Sequence, residues 1–228
     1  MIEEYFGRQI ELMGEESLRL LRAKKVAIIG CGGLGCSIGI ALAGSGVGEL
    51  HLVDFDKIAL SNIHRQIAFR VSDVGRSKCD VLGEFLASRS LDESVSLRPF
   101  AQSLQEYALR EIEIDLIMDA TDNFAVRMEI DAFAKRRGIP WVYASVEAWH
   151  GMACLLECSD FQSFKARMHE PEGVSTPMVM NLASLASLLA LRYLAELEVQ
   201  RDVLYYCMMN GGEMKLFSYQ MPKTETEV

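Results

Sequence analysis

The sequence Lys25-Val-Ala-Ile-Ile-Gly30-Cys-Gly-Gly-Leu-Gly35 contains the signal from which the rest of the chain can be interpreted. Its first part is a short, continuously apolar run, which is typical of a strand buried on both faces of a parallel sheet. The glycines follow directly, and residues 34–43 have helical spacing. A second apolar run, residues 49–54, completes a βαβ unit. The sequence therefore predicts a parallel sheet with a glycine-rich turn at the end of its first strand.

Strands and helices continue to alternate up to about residue 145. We predict helices at about 77–88 and 125–137, and strands at about 95–100, 115–119 and 141–145. The pattern then changes to a turn around Gly151, a strand at 152–157 and a hairpin formed by 203–209 and 213–218. The predicted fold class is α/β: a Rossmann-like, mixed, mostly parallel sheet that is flanked by helices and carries antiparallel C-terminal strands.

Length and composition favour one globular core. The chain has 228 residues, half of them hydrophobic, and a net charge of −9. We interpret residues 1–228 as a single domain with an N-terminal helical arm at about 1–22 and a crossover segment over the surface at about 159–177. The acidic charge argues against nucleic acid as a partner.

The sequence also predicts where the protein resides. No signal-peptide pattern is present. The apolar residues 178–194 are interrupted by polar and charged ones and are interpreted as a buried helix, not a membrane span. The six cysteines lack the density of a disulfide scaffold. We therefore expect a cytoplasmic protein that does not bind a membrane.

The glycine turn predicts a nucleotide phosphate site. A glycine-rich turn that opens a helix directs backbone N–H groups and the positive end of the helix at an anion. Asp54, at the end of the second strand, is placed to accept hydrogen bonds from ribose hydroxyls. Such a turn can instead simply allow close packing of the helix on the sheet, and a nicotinamide dinucleotide is its usual ligand. The turn alone leaves these alternatives open.

Charged residues beyond the predicted strands favour a triphosphate. Arg65 and Lys78 can neutralise phosphates, whereas Asp56 and Asp122 can hold magnesium through oxygen ligands. All four lie where open α/β sheets bind their ligands. We therefore expect ATP with Mg²⁺, and a nicotinamide-binding oxidoreductase is the less favoured alternative.

Five motifs, in order, resemble those of the ThiF/MoeB/HesA family, the bacterial relatives of ubiquitin-activating E1 enzymes. They are Gly30-x-Gly-Gly-x-Gly35, Asp54-Phe-Asp56, Ser61-Asn62-x-x-Arg65-Gln66, Lys78 and Asp119-x-Thr-Asp-Asn123. The resemblance extends from Gly7-Arg8-Gln9-Ile10 to the helix at 178–194. It implies a homodimeric E1-like adenylyltransferase that uses ATP and Mg²⁺. Its implied partner is a small ubiquitin-like sulfur-carrier protein of the ThiS or MoaD type with a C-terminal Gly-Gly.

The resemblance also implies roles for individual residues. The implied catalytic residues are Arg65, Lys78, Asp122, which would bind magnesium, and Arg8, which would reach the partner subunit's ATP. The implied nucleotide-binding residues are Gly30, Gly32, Gly33, Gly35, Asp54, Asp56, Asn62, Gln66 and Asn123. Without the motifs, Arg8 would be interpreted as a solvated surface charge.

The cysteines depart from the family pattern. Many relatives carry two C-x-x-C pairs that bind zinc, one in the crossover segment and one near the C-terminus, and this sequence has none. Cys154 and Cys158 are expected on one face of a strand, but two thiols make a poor zinc site, so we expect no zinc. Relatives that form a thioester or acyl disulfide keep a cysteine in the crossover segment. Residues 159–177 contain none, which argues against a covalent sulfur-transfer step on this chain.

Several other residues have two interpretations each. His169 and Glu170 are candidates for acid–base work or simply solvated side chains of the crossover segment. His51 is expected to be a hydrogen-bonded residue of the sheet, and His64 to pack near the ATP site. The aromatic residues Trp141, Tyr143 and Trp149 either shape a substrate groove or fill the core.

One further alternative concerns the substrate. The same fold could adenylate another carboxylate, either a peptide terminus or the threonylcarbamoyl group of a modified tRNA. The net charge of −9 argues against the tRNA.

Overall fold

The computed structural model describes residues 1–91, 94–161 and 172–223. Its strands are β1 (Lys25–Ile29), β2 (Glu49–Val53), β3 (Ser96–Phe100), β4 (Leu116–Asp119), β5 (Trp141–Glu147), β6 (His150–Leu156), β7 (Val203–Asn210) and β8 (Glu213–Gln220). They form an eight-stranded sheet in the order β3-β2-β1-β4-β5-β6-β7-β8. Strands β1 to β5 pair in parallel, and β6, β7 and β8 pair antiparallel. The predicted fold class is confirmed.

Helices cover both faces of the parallel part of the sheet. They are α1 (Ile2–Tyr5), α2 (Gly7–Arg22), α3 (Gly33–Gly44), α4 (Lys78–Ala87), α5 (Leu104–Ala108), α6 (Phe124–Arg137) and α7 (Thr176–Leu194). Helices α3, α4 and α7 pack on one face, and α5 and α6 on the other. After Lys25, strand β1 is apolar because Val26 and Ile28 face the first core, whereas Ala27 and Ile29 face the second.

Helix α7 is the one described helix that is long and apolar enough to cross a membrane by length and composition. Half of the apolar stretch of this helix is buried, and the helix packs against α3, β5 and β6. These contacts are those of a core helix, as the polar residues within it predict.

The N-terminal arm and the ends of α6 agree with the sequence. Helix α2 contains a break at Gly14, where φ is +83°. Helix α6 begins after Asn123, whose side chain accepts hydrogen bonds from the backbone of Ala125 and Val126. It ends at Gly138, where a φ of +63° closes the last turn.

The turn around Gly151 is a wrong prediction. Strand β5 continues to Glu147, and the chain reverses at Ala148 and Trp149, with Ala148 at φ +47°. Gly151 lies inside β6, where a Cβ atom would stand 2.6 Å from Leu182 Cγ of α7. The glycine is therefore needed because the Ser145 carbonyl oxygen of β5 and Leu182 of α7 both approach it closely, and not because the chain turns there.

The C-terminal hairpin is confirmed. Strands β7 and β8 pair from Val203 with Gln220 to Asn210 with Glu213. Gly211 and Gly212 form the turn with φ values of +58° and +81°. Two consecutive residues with positive φ are what a two-residue turn matched to strand twist requires.

Candidate functional site

The glycine loop connects β1 to α3 at the carboxyl edge of the parallel strands. Gly30 has a φ of +95°, and a Cβ atom there would stand 2.7 Å from the Ala120 carbonyl oxygen. A Cβ atom on Gly35 would stand 2.0 Å from the Gly30 carbonyl oxygen. These two glycines are therefore required for close packing, which was one of the two interpretations of the motif.

The inner glycines lie beside the side chains of the next motif. A Cβ atom on Gly32 would stand 3.5 Å from Gln66 Nε2, and one on Gly33 would stand 3.3 Å from the Arg65 carbonyl oxygen. Gly32 precedes α3 and offers no side-chain cap to it. The first N–H groups of α3 have no partner within the helix, and such groups bind anions well.

Asp54 holds the glycine loop in place. Its Oδ2 accepts a hydrogen bond from the Cys31 backbone N–H at 2.7 Å, and its Oδ1 accepts one from the Asp56 N–H at 2.8 Å. Burial raises the pKa of the Asp54 carboxyl, although these two backbone bonds and Lys78 oppose the increase. The predicted ribose contact is untested, and the structure adds a role in shaping the loop.

Lys78 and Asp56 form an ion pair next to Asp54. The first residue of α4, Lys78, is only 8% exposed. Its Nζ lies 2.7 Å from Asp56 Oδ2, and its backbone N–H donates to the Asp56 carbonyl oxygen at 3.1 Å. Asp56 is itself half-exposed. The exposed Asp56 carboxylate therefore holds the nearly buried Lys78 ammonium at the ends of the strands.

The motif at residues 61–66 lies across from the glycine loop. Asn62 Oδ1 accepts a hydrogen bond from the Ala59 N–H at 3.0 Å, and Arg65 Nη1 donates to the Ser61 carbonyl oxygen at 3.0 Å. Gln66 is 4% exposed, and its Oε1 has no hydrogen-bond partner among the described residues. A buried acceptor without a partner costs free energy unless a ligand or water donates to it. ATP, with ribose hydroxyls and an adenine amino group, carries such donors.

The loop after β4 carries the last motif. Asp122 is exposed, and the described residues include no group of three His, Cys, Asp or Glu side chains that could hold a metal. Asn123 caps α6, so the structure gives it a local role in addition to the predicted nucleotide contact, which is untested. Asp119 is fully buried and accepts hydrogen bonds from the Thr121 N–H and hydroxyl at 2.9 and 2.7 Å.

Arg127 is the residue that the sequence analysis missed. It lies on α6, and its Nε donates to Asp119 Oδ2 at 3.0 Å. Burial raises the pKa of Asp119, and the Arg127 guanidinium and the Thr121 hydrogen bonds oppose that increase. No sequence signal singles out Arg127, because an arginine in the first turn of a helix has the appearance of a solvated charge until its contact with Asp119 is seen.

Arg8 does not belong to this cluster within its own chain. Its side chain is 96% exposed and pairs with Glu11 at 3.0 Å on the surface of α2.

Two cavities lie away from the glycine loop. One of about 510 Å³ separates α4 from β3 and is lined by Arg76, Asp80 and Leu97 among others. A second, of about 330 Å³, is lined by Lys24, Tyr193 and others. Neither of these two cavities is lined by a residue of the glycine loop.

The other candidate histidines and the candidate Glu170 differ in where they lie. His51 is a buried sheet residue bonded to Tyr107 and Glu49, as expected. His64 contacts Arg65 at 3.0 Å beside the glycine loop. His169 and Glu170 lie outside the described residues.

The aromatic residues and cysteines do not form the predicted groups. Trp141 and Tyr143 are buried and pack on Phe161, whereas Trp149 is exposed in the β5–β6 turn. Core filling therefore explains two of the three. Cys154 is buried in β6, but the exposed Cys158 follows the end of that strand, so the expectation that both thiols share one strand face is wrong.

A Rossmann-type sheet with a glycine loop at its carboxyl edge is the architecture of the chain, and it is one in which α/β proteins commonly bind nucleotides. The ThiF family model matches residues 6–227, and the chain belongs to the ThiF family. The predicted resemblance is thereby confirmed.

Individual relatives support this assignment. "Sulfur carrier protein ThiS adenylyltransferase" of Escherichia coli is 32% identical over 226 residues, which cover 93% of this chain and 85% of that protein. "Adenylyltransferase and sulfurtransferase uba4" of Aspergillus clavatus is 39% identical over 160 residues, 68% of this chain. The matched part is 32% of the length of that relative.

Solved structures show the same fold. The crystal structure of E. coli MccB with ATP matches 97% of this chain and 72% of that chain, with a TM-score of 0.83 and 20% sequence identity. The structure of MccB with succinimide matches with a TM-score of 0.85 over 96% of this chain and 71% of that one, also at 20% identity.

Proposed function

We propose that this chain is an ATP-dependent adenylyltransferase. Its substrate would be the C-terminal glycine carboxylate of a small ubiquitin-like sulfur-carrier protein of the ThiS or MoaD type. One structural observation carries the proposal: the nearly buried Lys78 and the unpartnered Gln66 Oε1 converge with the glycine loop at one edge of the sheet. The name of the E. coli relative, which matches nearly the whole chain, supports the sulfur carrier as substrate.

The adenylation reaction needs little general acid or base catalysis from the protein. The carboxylate of the carrier is already ionised at neutral pH. One of its oxygens attacks the α-phosphorus of ATP, the bond to the β-phosphate oxygen breaks, and pyrophosphate leaves. The protein aligns the reactants and stabilises charge on the phosphoryl oxygens. Lys78 and Arg65 are two cations that the chain itself provides at this edge. The product is an acyl-adenylate.

Magnesium fits the donor set at the same edge. Mg²⁺ is usually held by one or two carboxylates together with substrate phosphates, and not by an all-protein cage. Asp122 offers an exposed carboxylate at the end of β4, which suits this mode of binding. When bound, the ion would supply positive charge to the phosphates.

The assembly is part of the proposal. We infer a cytoplasmic homodimer of single-domain chains in which Arg8 of one subunit reaches the ATP of the other. The exposure of Arg8 on the surface of α2, where it pairs only with its neighbour Glu11 among the described residues, supports this role.

Isotope exchange between ATP and pyrophosphate tests the activity. The purified chain with Mg²⁺ and a ThiS-type carrier should exchange labelled pyrophosphate into ATP, and a carrier without its final glycine should not support exchange. Exchange with an unrelated peptide terminus but not with the carrier would favour the alternative carboxylate. Calorimetric binding of NAD in place of ATP would overturn the proposal.

A further inference from the structure

Arg127 occupies a central place beneath the loop that carries Asp122. Its side chain is 12% exposed. Besides the Asp119 carboxylate, its Nη2 donates to the Thr121 carbonyl oxygen at 2.6 Å and approaches the Ala144 carbonyl oxygen of β5 at 3.4 Å. One guanidinium therefore joins α6, the loop after β4 and strand β5.

Thr121 is held from three sides by this arrangement. Its N–H and its hydroxyl donate to Asp119 Oδ1, and its carbonyl oxygen accepts from Arg127. Both residues that hold Thr121 are nearly or fully buried. Asp122 follows Thr121 directly, so its backbone begins at a fixed point although its side chain is exposed.

The same loop also touches the glycine loop. The Ala120 carbonyl oxygen and the Thr121 nitrogen lie 2.7 and 3.3 Å from the position of a Cβ atom on Gly30. A displacement of residues 120–121 would therefore alter both the contact with Gly30 and the position of Asp122.

We propose that Arg127 is a positioning residue, which fixes Thr121 and thereby sets Asp122 and the glycine loop in the geometry for adenylation. For its catalytic consequence the inference rests on the proposed function. The planar guanidinium suits the task because it donates in several fixed directions at once, whereas an ammonium acts as a single point of charge. The guanidinium also lies over the Tyr143 ring at 5.2 Å, which restricts its rotation.

Arg127→Lys tests this role against a purely stabilising ion pair. Lysine keeps the charge next to Asp119 but cannot also reach Thr121 and Ala144. The matched control is Lys135→Met, since Lys135 lies on the same helix and pairs with another buried acid, Asp131, at 2.8 Å. Hydrogen exchange of the ligand-free full chain measures the protection of the backbone amides in the loop after β4. ATP–pyrophosphate exchange measures kcat and KM.

We expect Arg127→Lys to expose the amides of Ala120 and Thr121 to exchange, and Lys135→Met to leave them protected by their bonds to Ile29 and Asp119. We also expect kcat of the lysine variant to fall by about 10²-fold, since small displacements cost this much at a reacting centre. Lys135→Met, the control, should keep its kcat even if its melting temperature falls as much as that of Arg127→Lys. Equal loop protection and equal kcat in the two variants would overturn the inference.

A second variant keeps the inference testable if Arg127→Lys does not fold. Arg127→Gln combined with Asp119→Asn removes both buried charges together, and it should show the same loop exposure. Protection of the Ala120 and Thr121 amides in this variant would overturn the inference. If the wild-type chain neither binds ATP nor exchanges pyrophosphate, the proposed function fails, and the hydrogen exchange still decides whether Arg127 fixes the loop.

Discussion

The Lys78 ammonium lies 2.7 Å from Asp56 Oδ2, and the two residues differ in exposure, because Lys78 is nearly buried and Asp56 is half-exposed. The acid can stay solvated without the lysine, whereas the lysine depends on the acid. The two halves of this ion pair should therefore respond differently to substitution.

Lys78→Met should cost activity and little stability. Removing a cation aimed at transferring phosphates should lower the pyrophosphate exchange rate by roughly 10²–10³-fold. Asp56→Asn, the comparison variant, leaves the buried ammonium without its charged partner and should lower the free energy of unfolding by about 1–2 kcal/mol. Urea denaturation and exchange assays on both variants measure the two effects. Loss of stability in Lys78→Met alone would contradict this assignment.

Asp122→Ala should abolish exchange and leave the fold intact. The side chain is exposed, so the free energy of unfolding should change by no more than about 0.5 kcal/mol. Glu113, an exposed acid at the opposite end of β4, provides the control Glu113→Ala, which should keep normal exchange. Normal exchange in Asp122→Ala at saturating Mg²⁺ would remove Asp122 from the site.

His51 should make the stability of the protein depend on pH. Its Nδ1 lies 2.6 Å from the Tyr107 hydroxyl and its Nε2 lies 2.7 Å from Glu49 Oε1. Burial lowers the pKa of His51, although the hydrogen bond to Glu49 opposes the decrease. The unfolded chain therefore binds more protons than the folded one as the pH falls through about 6.5, the ordinary His value, and stability is lost in that direction.

Urea denaturation between pH 7.5 and 5.5 measures this loss. The contribution of His51 has a limiting slope of about 1.4 kcal/mol per pH unit for one proton. His51→Gln should flatten the pH dependence of the free energy of unfolding, and the comparison variant His150→Gln should not. The same slope in His51→Gln as in wild type would show that His51 is not responsible.

Gly151→Ala should destabilise the protein through overpacking. The added methyl group would stand 2.5 Å from the Ser145 carbonyl oxygen and 2.6 Å from Leu182 Cγ, so we expect a loss of about 1–3 kcal/mol. Gly44→Ala is the control, because nothing lies within 4 Å of its Cβ position at the end of α3. It should be neutral or mildly stabilising. Equal stability of the two variants by urea denaturation would contradict the close approach of α7.

Gly151 also shows why part of the fold could not be predicted. The sequence alone does not distinguish a glycine that is needed because a helix approaches a strand from one that is needed for a turn. Strand β1 was predictable because burial on both faces leaves a continuous apolar run, and Gly211-Gly212 because two positive φ angles in succession have few other uses.

The candidate site divides in the same way. The glycine loop and Lys78 could be predicted because they lie at or beyond strand ends, which converge at one edge of a parallel sheet. Gln66 was implied by the resemblance to the family and not by its position in the sequence. Arg127 could not be predicted, since a single arginine on a helix has the appearance of a solvated charge until its contact with the buried Asp119 is seen. Its burial follows from tertiary packing alone.

Arg8 gives the sharpest test of assembly. If Arg8 acts on the neighbouring subunit, Arg8→Ala chains and Asp122→Ala chains should each be inactive and should restore activity when mixed. In a mixed two-fold dimer, one site has both residues intact and the other has neither. With random pairing about half of the dimers are mixed, so about one quarter of wild-type exchange activity should return. Native mass spectrometry must show the mixed dimers. Mixed dimers without activity would mean that Arg8 acts within its own chain, and Arg8→Ala chains that are active alone would mean that Arg8 has no role in the reaction.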